Sequence, residues 1–298
     1  MCLGIDPYWI TNFRWEALTS FFKIFPFFAS TYFFLSAIGI GYWLRPHIPL
    51  FIHLGFLIPF SVILNYLFKE LFSIPRPPLD LHLIPLSPSW GFPSGDVQVA
   101  TVFWLSLYRA SISKILRIGC ASMILLIMAS RVYLGVHSLC DVFVGFIFGL
   151  LTTALWNHPY FKTITAKWYK GSYINLLLVI SLSLLSYIGL AHTLILPLGL
   201  IAAVGTLLGY VISLPYMQRG PLFPDSLTAK DSFKLFLSLF FLLLMANIIP
   251  IIKSQGTIIL YSSILVKYAF LTMLGYVFLP IFQRRLFQKG KNPRPTAR

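Results

Sequence analysis

Mostly apolar stretches follow one another from residue 24 to residue 282, nearly all of them about 18 residues or longer. That is the length a helix needs to cross a hydrocarbon layer roughly 30 Å thick. No water serves backbone N–H and C=O groups there, so each stretch reads as a helix. Nine spans are predicted: Ile24–Leu44, Ile48–Phe68, Gly95–Tyr108, Ile115–Leu134, Leu139–Trp156, Tyr173–Leu190, Leu194–Leu214, Leu235–Ile252 and Ile258–Phe282. The third is the shortest. Its start at Ser94-Gly95 looks like a helix N-terminus below a Pro/Ser-rich loop, Pro75 to Pro93. Ahead of the spans, Tyr8–Phe22 mixes apolar and aromatic residues with Arg14 and Glu16 at helical spacing. It reads as an amphipathic helix lying in the interface.

Composition agrees with this pattern. The 298 residues are 58% hydrophobic and 10% charged, against about a quarter charged in soluble domains. Met1–Trp15 has no apolar core of the kind a cleavable signal needs. The net charge of +15 does not point to nucleic acid, because the basic residues lie in short loops and in the tail. Cys2, Cys120 and Cys140 have no metal-ligand spacing, and their odd number argues against a disulfide framework. All three read as small apolar residues.

Polar residues of unusual kind gather between Lys69 and Asp141: Lys69-x6-Arg76-Pro77, then Pro93-Ser94-Gly95-Asp96, then Ser130-Arg131-x5-His137-x3-Asp141. Threading nine spans brings all three clusters to one face of the membrane. The opposite face then receives 16 of the 23 basic residues, including Arg109, Lys114, Arg117 and the six in the tail. The positive-inside rule therefore puts the clusters outside the cytoplasm and the C-terminus inside.

These residue types suit a phosphate. Arg76 and Arg131 supply planar forks of donors and Lys69 a point charge. Ser94 and Gly95, opening a helix, add backbone N–H groups and a favourable dipole. His137 and Asp141, four apart at a helix start, stack on one face. A carboxylate on one imidazole nitrogen fixes the tautomer and leaves the other nitrogen free to attack phosphorus. Singly these features are ordinary: a span-edge arginine usually snorkels, and a His-x3-Asp pair is usually a local hydrogen bond. Their coincidence, in order and on one face, is what carries the reading.

The three clusters resemble the motifs of the type 2 phosphatidic acid phosphatase superfamily, over about residues 10 to 156. WGFPSGD and SRVYLGVHSLCD are similar to bacterial members that act on lipid phosphates. The resemblance implies an all-α, polytopic membrane helical bundle. It implies that Lys69, Arg76, Ser94, Gly95 and Arg131 hold phosphate, that His137 attacks to form a phosphohistidine, and that Asp141 orients His137. It implies no metal and no cofactor. The chain divides on this reading into an interfacial helix (1–23), a phosphatase-like core (24–156), an additional four-span region (157–282) and a basic cytoplasmic tail (283–298). The expected setting is a bacterial inner membrane. The expected partners are a lipid phosphate or diphosphate and the surrounding lipids, with no nucleic acid.

One position departs from the family pattern, which places histidine after Pro-Ser-Gly; here it is Asp96. That histidine would protonate the leaving oxygen and then activate water. Three readings stand. Asp96 does the same work, held protonated by apolar surroundings against the pull of three cations. Or the substrate is a diphosphate, whose phosphate monoester leaving group needs little protonation. Or the site binds without turnover. His82, in the loop between the first two clusters, reads as a solvated histidine rather than a replacement acid. Phosphotransfer to another acceptor uses the same intermediate, and a binding or transport protein on a degenerate core is the competing class. A soluble vanadium-dependent oxidase with the same anion pocket is disfavoured by the nine spans. Lys267 lies mid-span, where a charge is expensive, and small residues in Leu198–Tyr210 suit close helix packing.

Overall fold

The computed structural model describes residues 6–45, 48–86, 89–159, 196–217, 229–248 and 257–282. Their regular structure is helical, with no strand among them. In chain order the helices are α1 (Glu16–Phe22), α2 (Thr31–Leu44), α3 (Pro49–Phe72), α4 (Gly95–Ala110), α5 (Lys114–Tyr133), α6 (Leu139–Asn157), α7 (Leu198–Ser213), α8 (Ala229–Ile248) and α9 (Thr257–Met273). A π-helical segment, Leu274–Phe278, continues α9. Among the described residues, six helices are long and apolar enough to span a membrane, or seven if a bent pair at the N-terminus counts as one span. The chain is an all-α integral membrane protein. The predicted span Tyr173–Leu190 and the basic tail lie outside the described residues.

The N-terminal region differs from the single interfacial helix and straight first span expected. Pro7–Phe13 is a 3₁₀ helix capped by the Asp6 carboxylate, which accepts from the Tyr8 N–H at 2.9 Å. The helix then breaks at Arg14 and Trp15. The Arg14 guanidinium reaches inward and donates to the carbonyls of Leu81 (2.8 Å) and Tyr133 (3.1 Å). The expected span from Ile24 is also interrupted. Pro26 lacks a backbone donor, and Phe25–Ala29 is a 3₁₀ turn. Ser30 then caps α2 by accepting from Phe33 N–H at 3.2 Å, and Glu16–Ala29 meets Thr31–Leu44 at a 54° bend.

α4 has 16 residues, about 24 Å at the usual helical rise and short of the hydrocarbon thickness. It is nevertheless the most enclosed helix near the site: Val97, Gln98, Val99, Ala100, Thr101, Val102 and Phe103 are all buried. It packs against α3, α5 and α6. Cys120 is free and buried, but Cys140 is disulfide-bonded, so the reading of every cysteine as apolar filler is corrected at Cys140.

The C-terminal helices share a core with the N-terminal ones. α7 packs on α3 and α9, and α8 on α2. Two directional bonds fix this packing. The buried indole of Trp43 donates from Nε1 to the Gly275 carbonyl at 2.8 Å, and the Tyr276 hydroxyl donates to the Phe51 carbonyl at 3.0 Å. Lys267 is nine-tenths buried on α9.

Candidate active site

Three chain segments meet at one end of the bundle. Lys69 ends α3, Ser94 and Gly95 open α4, and the turn between α5 and α6 carries His137. Each is held by local chemistry. Helix α3 stops at Ser73, which adopts the left-handed conformation (φ 49°) and returns its N–H to the Lys69 carbonyl at 2.8 Å. The turn after α5 uses Gly135 at φ +74°, and a Cβ there would lie 2.1 Å from the Leu81 carbonyl oxygen. This turn is stitched to the 79–86 loop by Leu83 N–H donating to the Leu134 carbonyl (3.0 Å), and the Arg14 guanidinium closes it from outside. Ser138 caps α6 in a capping box. Its hydroxyl accepts from Asp141 N–H (3.2 Å), while Asp141 Oδ2 accepts from Ser138 N–H (2.8 Å). A backbone bond from Ser94 N–H to the Asp141 carbonyl (2.9 Å) then ties the start of α4 to α6.

The capping box aims the Asp141 carboxylate. Oδ2 lies 3.5 Å from His137 Nδ1, too long for a full hydrogen bond, so Nδ1 has no hydrogen-bond partner. On the other side of the ring, Arg76 Nη1 lies 3.0 Å from Nε2. Arginine can only donate. Nε2 is therefore the lone-pair nitrogen, and the ring proton sits on Nδ1, facing Asp141. Arg76 itself is braced: Nε donates to the Ser89 carbonyl (3.1 Å), Nη2 to Ser89 Oγ (2.8 Å) and Nη1 to the Val136 carbonyl (3.1 Å).

The electrostatics favour a neutral ring. Burial pushes the His137 imidazolium down from its ordinary range to about 4. Asp141 opposes this, and the Arg76 and Lys69 charges reinforce it. Burial likewise pulls the Arg76 guanidinium down, while Asp96 and Asp141 push it back up.

Lys69, Arg76, Gly95, Asp96 and His137 line one cavity of about 430 Å³. The Lys69 ammonium donates to the Trp90 carbonyl. Arg131 Nη1 makes an ion pair with Asp96 Oδ2 at 2.9 Å, so this third cation reaches the cavity through the aspartate. Ser94 is fully buried, and its hydroxyl has no partner; Arg131 Nε also has none. Unsatisfied buried polar atoms are uncommon and call for an explanation. Neither residue lines the cavity itself, but Ser94 precedes Gly95 and Arg131 pairs with Asp96, and both of those partners do. Among the described residues no three His, Cys, Asp or Glu side chains gather as a metal ion would require.

Five residues were not read from the sequence as supports of the site: Arg14, Ser61, Asn65, Ser89 and Gln98. Asn65 Nδ2 donates to the Pro93 carbonyl (3.3 Å) and to Gln98 Oε1 (3.0 Å), while Gln98 Nε2 donates to the Ser61 carbonyl (3.1 Å). This buried network pins the Pro-Ser-Gly turn. Its wall is tight, since a Cβ on Gly95 would lie 2.7 Å from Asn65 Oδ1. Amides inside apolar spans are the signal that could have revealed Asn65 and Gln98. Arg14 and Ser89 had no such signal. His82, expected to be solvated, is half-buried with Nε2 3.1 Å from the Pro77 carbonyl, and burial lowers its pKa.

The fold and site define a helical membrane protein with a histidine-bearing, cation-lined cavity at one end of the bundle. The family model of the PAP2 superfamily matches residues 50–165. A crystal structure titled the first transmembrane PAP2 type phosphatidylglycerolphosphate phosphatase from Bacillus subtilis is similar, at 26% identity and a TM-score of 0.44. The similarity covers 50% of this chain and 79% of that one. No curated protein sequence matches.

Proposed function

We propose that the protein is a membrane phosphatase that hydrolyses a lipid diphosphate, or less efficiently a lipid monophosphate, through a phosphohistidine at His137. The observation that carries the proposal is the placement of His137: Nε2 faces Arg76 at 3.0 Å, and Nδ1 faces the Asp141 carboxylate. A substrate phosphate entering here takes Arg76 as a donor and exposes the Nε2 lone pair to phosphorus. In the first step the N–P bond forms and the bridging P–O bond breaks, with Asp141 stabilising the positive charge that develops on the ring. Lys69, Arg76 and Arg131, with Ser94 and the N–H groups that open α4, hold the transferred group's oxygens.

Asp96 decides the substrate class. It is an ion-pair acceptor for Arg131, and to protonate a leaving oxygen it would first have to leave that pair. A phosphate monoester leaving from a diphosphate needs little protonation, whereas an alkoxide needs much. The carboxylate is ready for the second step, in which it takes a proton from water as the hydroxide oxygen bonds phosphorus and the N–P bond breaks. Phosphate departs, neutral His137 is restored, and Asp96 returns its proton to solvent. The distribution of basic residues, 16 of 23 on the opposite face, supports a site outside the cytoplasm.

The test is phosphate release by purified full-length protein from lipid mono- and diphosphates, with His137→Ala as control. Release by wild type and none by the variant is expected. Equal release by both would remove His137 from the mechanism, and no release by wild type would favour a binding role.

A further inference from the structure

The cavity does not end at the phosphate site. It follows α3 inward from Lys69 to Gly55, 14 residues along the helix or about 21 Å at the usual rise. That is more than half the hydrocarbon thickness. Beyond the polar mouth the wall is apolar, and the helices outside the matched 50–165 segment build much of it. Ala202, Ala203 and Thr206 of α7 line it from one side, and Ile264 and Leu271 of α9 from another. Two features mark this wall as more than ordinary packing. First, α7 divides its small residues between two faces: Gly205 and Gly209 lie against the α9 backbone and Gly199 against the Tyr66 side chain, while Ala202, Ala203 and Thr206 line the cavity. Small residues that border space instead of a neighbour leave a channel. Second, the π-helical segment bends Gly275 and Tyr276 into the lining, and π-helical insertions gather at functional positions.

We infer that α7, α9 and the π-helical segment form a tail site, which takes a hydrocarbon chain of the lipid whose phosphate sits at Arg76 and His137, and that this site selects substrates by chain length. The inference rests on the phosphatase reading for the identity of the headgroup, but not for the presence of a tail. The occupant follows from continuity: one space joins a cation cluster to an apolar channel running toward the membrane midplane, and a lipid phosphate has both ends. Transfer of the tail from bilayer to channel gains little hydrophobic energy, because lipid is already apolar. Selection therefore comes from fit, through dispersion contacts made or lost along the wall.

Two measurements with the full-length protein test this. In the first, alkyl diphosphates of increasing chain length are hydrolysed by wild type, by Ala203→Phe and Thr206→Phe, which narrow the channel, and by Leu271→Ala, which widens it. The narrowing variants should lose 10-fold or more in kcat/KM for the longest chains while retaining the shortest within about 2-fold. Leu271→Ala should move the optimum to bulkier tails. Ile212→Phe, on the exposed side of α7, should change neither. In the second, a long-chain alkyl phosphate with a diazirine at its terminal carbon is photolysed on the protein and the labelled peptides are sequenced. Label on α7, α9 or the π-helical segment is expected. Label only on lipid-facing residues, or a length profile shared by all variants, would overturn the tail site. If wild type hydrolyses nothing, the phosphatase reading fails and photolabelling still decides whether the channel holds a tail.

Discussion

Replacing Asp96 by Asn separates binding from chemistry at the one position that departs from the family pattern. The substitution keeps the size and one acceptor oxygen but removes a negative charge 2.9 Å from Arg131. Two unit charges that close are worth roughly 6 kcal/mol at an effective dielectric near 20. The Asp96 side chain is 39% exposed, so solvent screening cuts its net effect to about 1 kcal/mol or less. Freed from its carboxylate, Arg131 should hold phosphate more tightly, and KM should fall up to about 5-fold. The turnover number should move the other way. Loss of the base for the water step should lower kcat by about 10²–10⁴-fold, the usual worth of general acid–base help. Because the first step on a diphosphate needs little acid, the slowed step is the second. Rapid mixing should therefore show a burst of lipid monophosphate, near one per enzyme, ahead of inorganic phosphate. An unchanged kcat without a burst would show that Asp96 does no proton transfer. A higher KM would show that it does not compete with phosphate for Arg131.

Further outcomes follow from other contacts. Because burial drives His137 down to about 4, the active neutral ring persists through mildly acidic pH. The acid limb of kcat/KM, after correction for substrate ionisation, should fall near pH 4 and not near 6.5. The same depression makes folding pH-dependent: the unfolded ring takes up its proton near 6.5, so stability is full above that pH and is lost as pH falls toward about 4. That loss is roughly 3 kcal/mol, and His137→Asn should remove this slope from thermal unfolding in detergent. Arg14→Ala strips charged donors from the Leu81 and Tyr133 carbonyls and should cost roughly 1.5–3 kcal/mol, with activity falling as the His137 turn loosens. Trp43→Phe leaves the Gly275 carbonyl without its donor and should lower unfolding stability by about 1–3 kcal/mol.

The sequence patterns that act locally were the legible ones. Apolar runs gave the helices of the all-α bundle, and the spacing of Lys69, Arg76, Ser94, Arg131, His137 and Asp141 placed them at helix ends that threading brought to one face. The four-residue interval from His137 to Asp141 held because a capping box starts α6 there. What depended on distant contacts was not legible. Arg14 breaks an otherwise plausible interfacial helix because its partners lie 67 and 119 residues away. Pro26 and Ser30 interrupt the helix inside an apolar run that reads as one span, Ile24–Leu44. Ser89 braces Arg76 from a loop that carries no periodic signal. The small residues of α7 were readable as packing residues, and only the three-dimensional arrangement divides them between a helix contact and a channel.

Trapping the intermediate tests the catalytic claim most directly. Wild-type protein incubated briefly with a terminally ³²P-labelled lipid diphosphate, then quenched in alkali and digested, should yield one labelled peptide carrying an alkali-stable, acid-labile phosphoramidate on His137, more abundant in Asp96→Asn and absent from His137→Ala. Turnover without such a peptide, or label on any other residue, would contradict it.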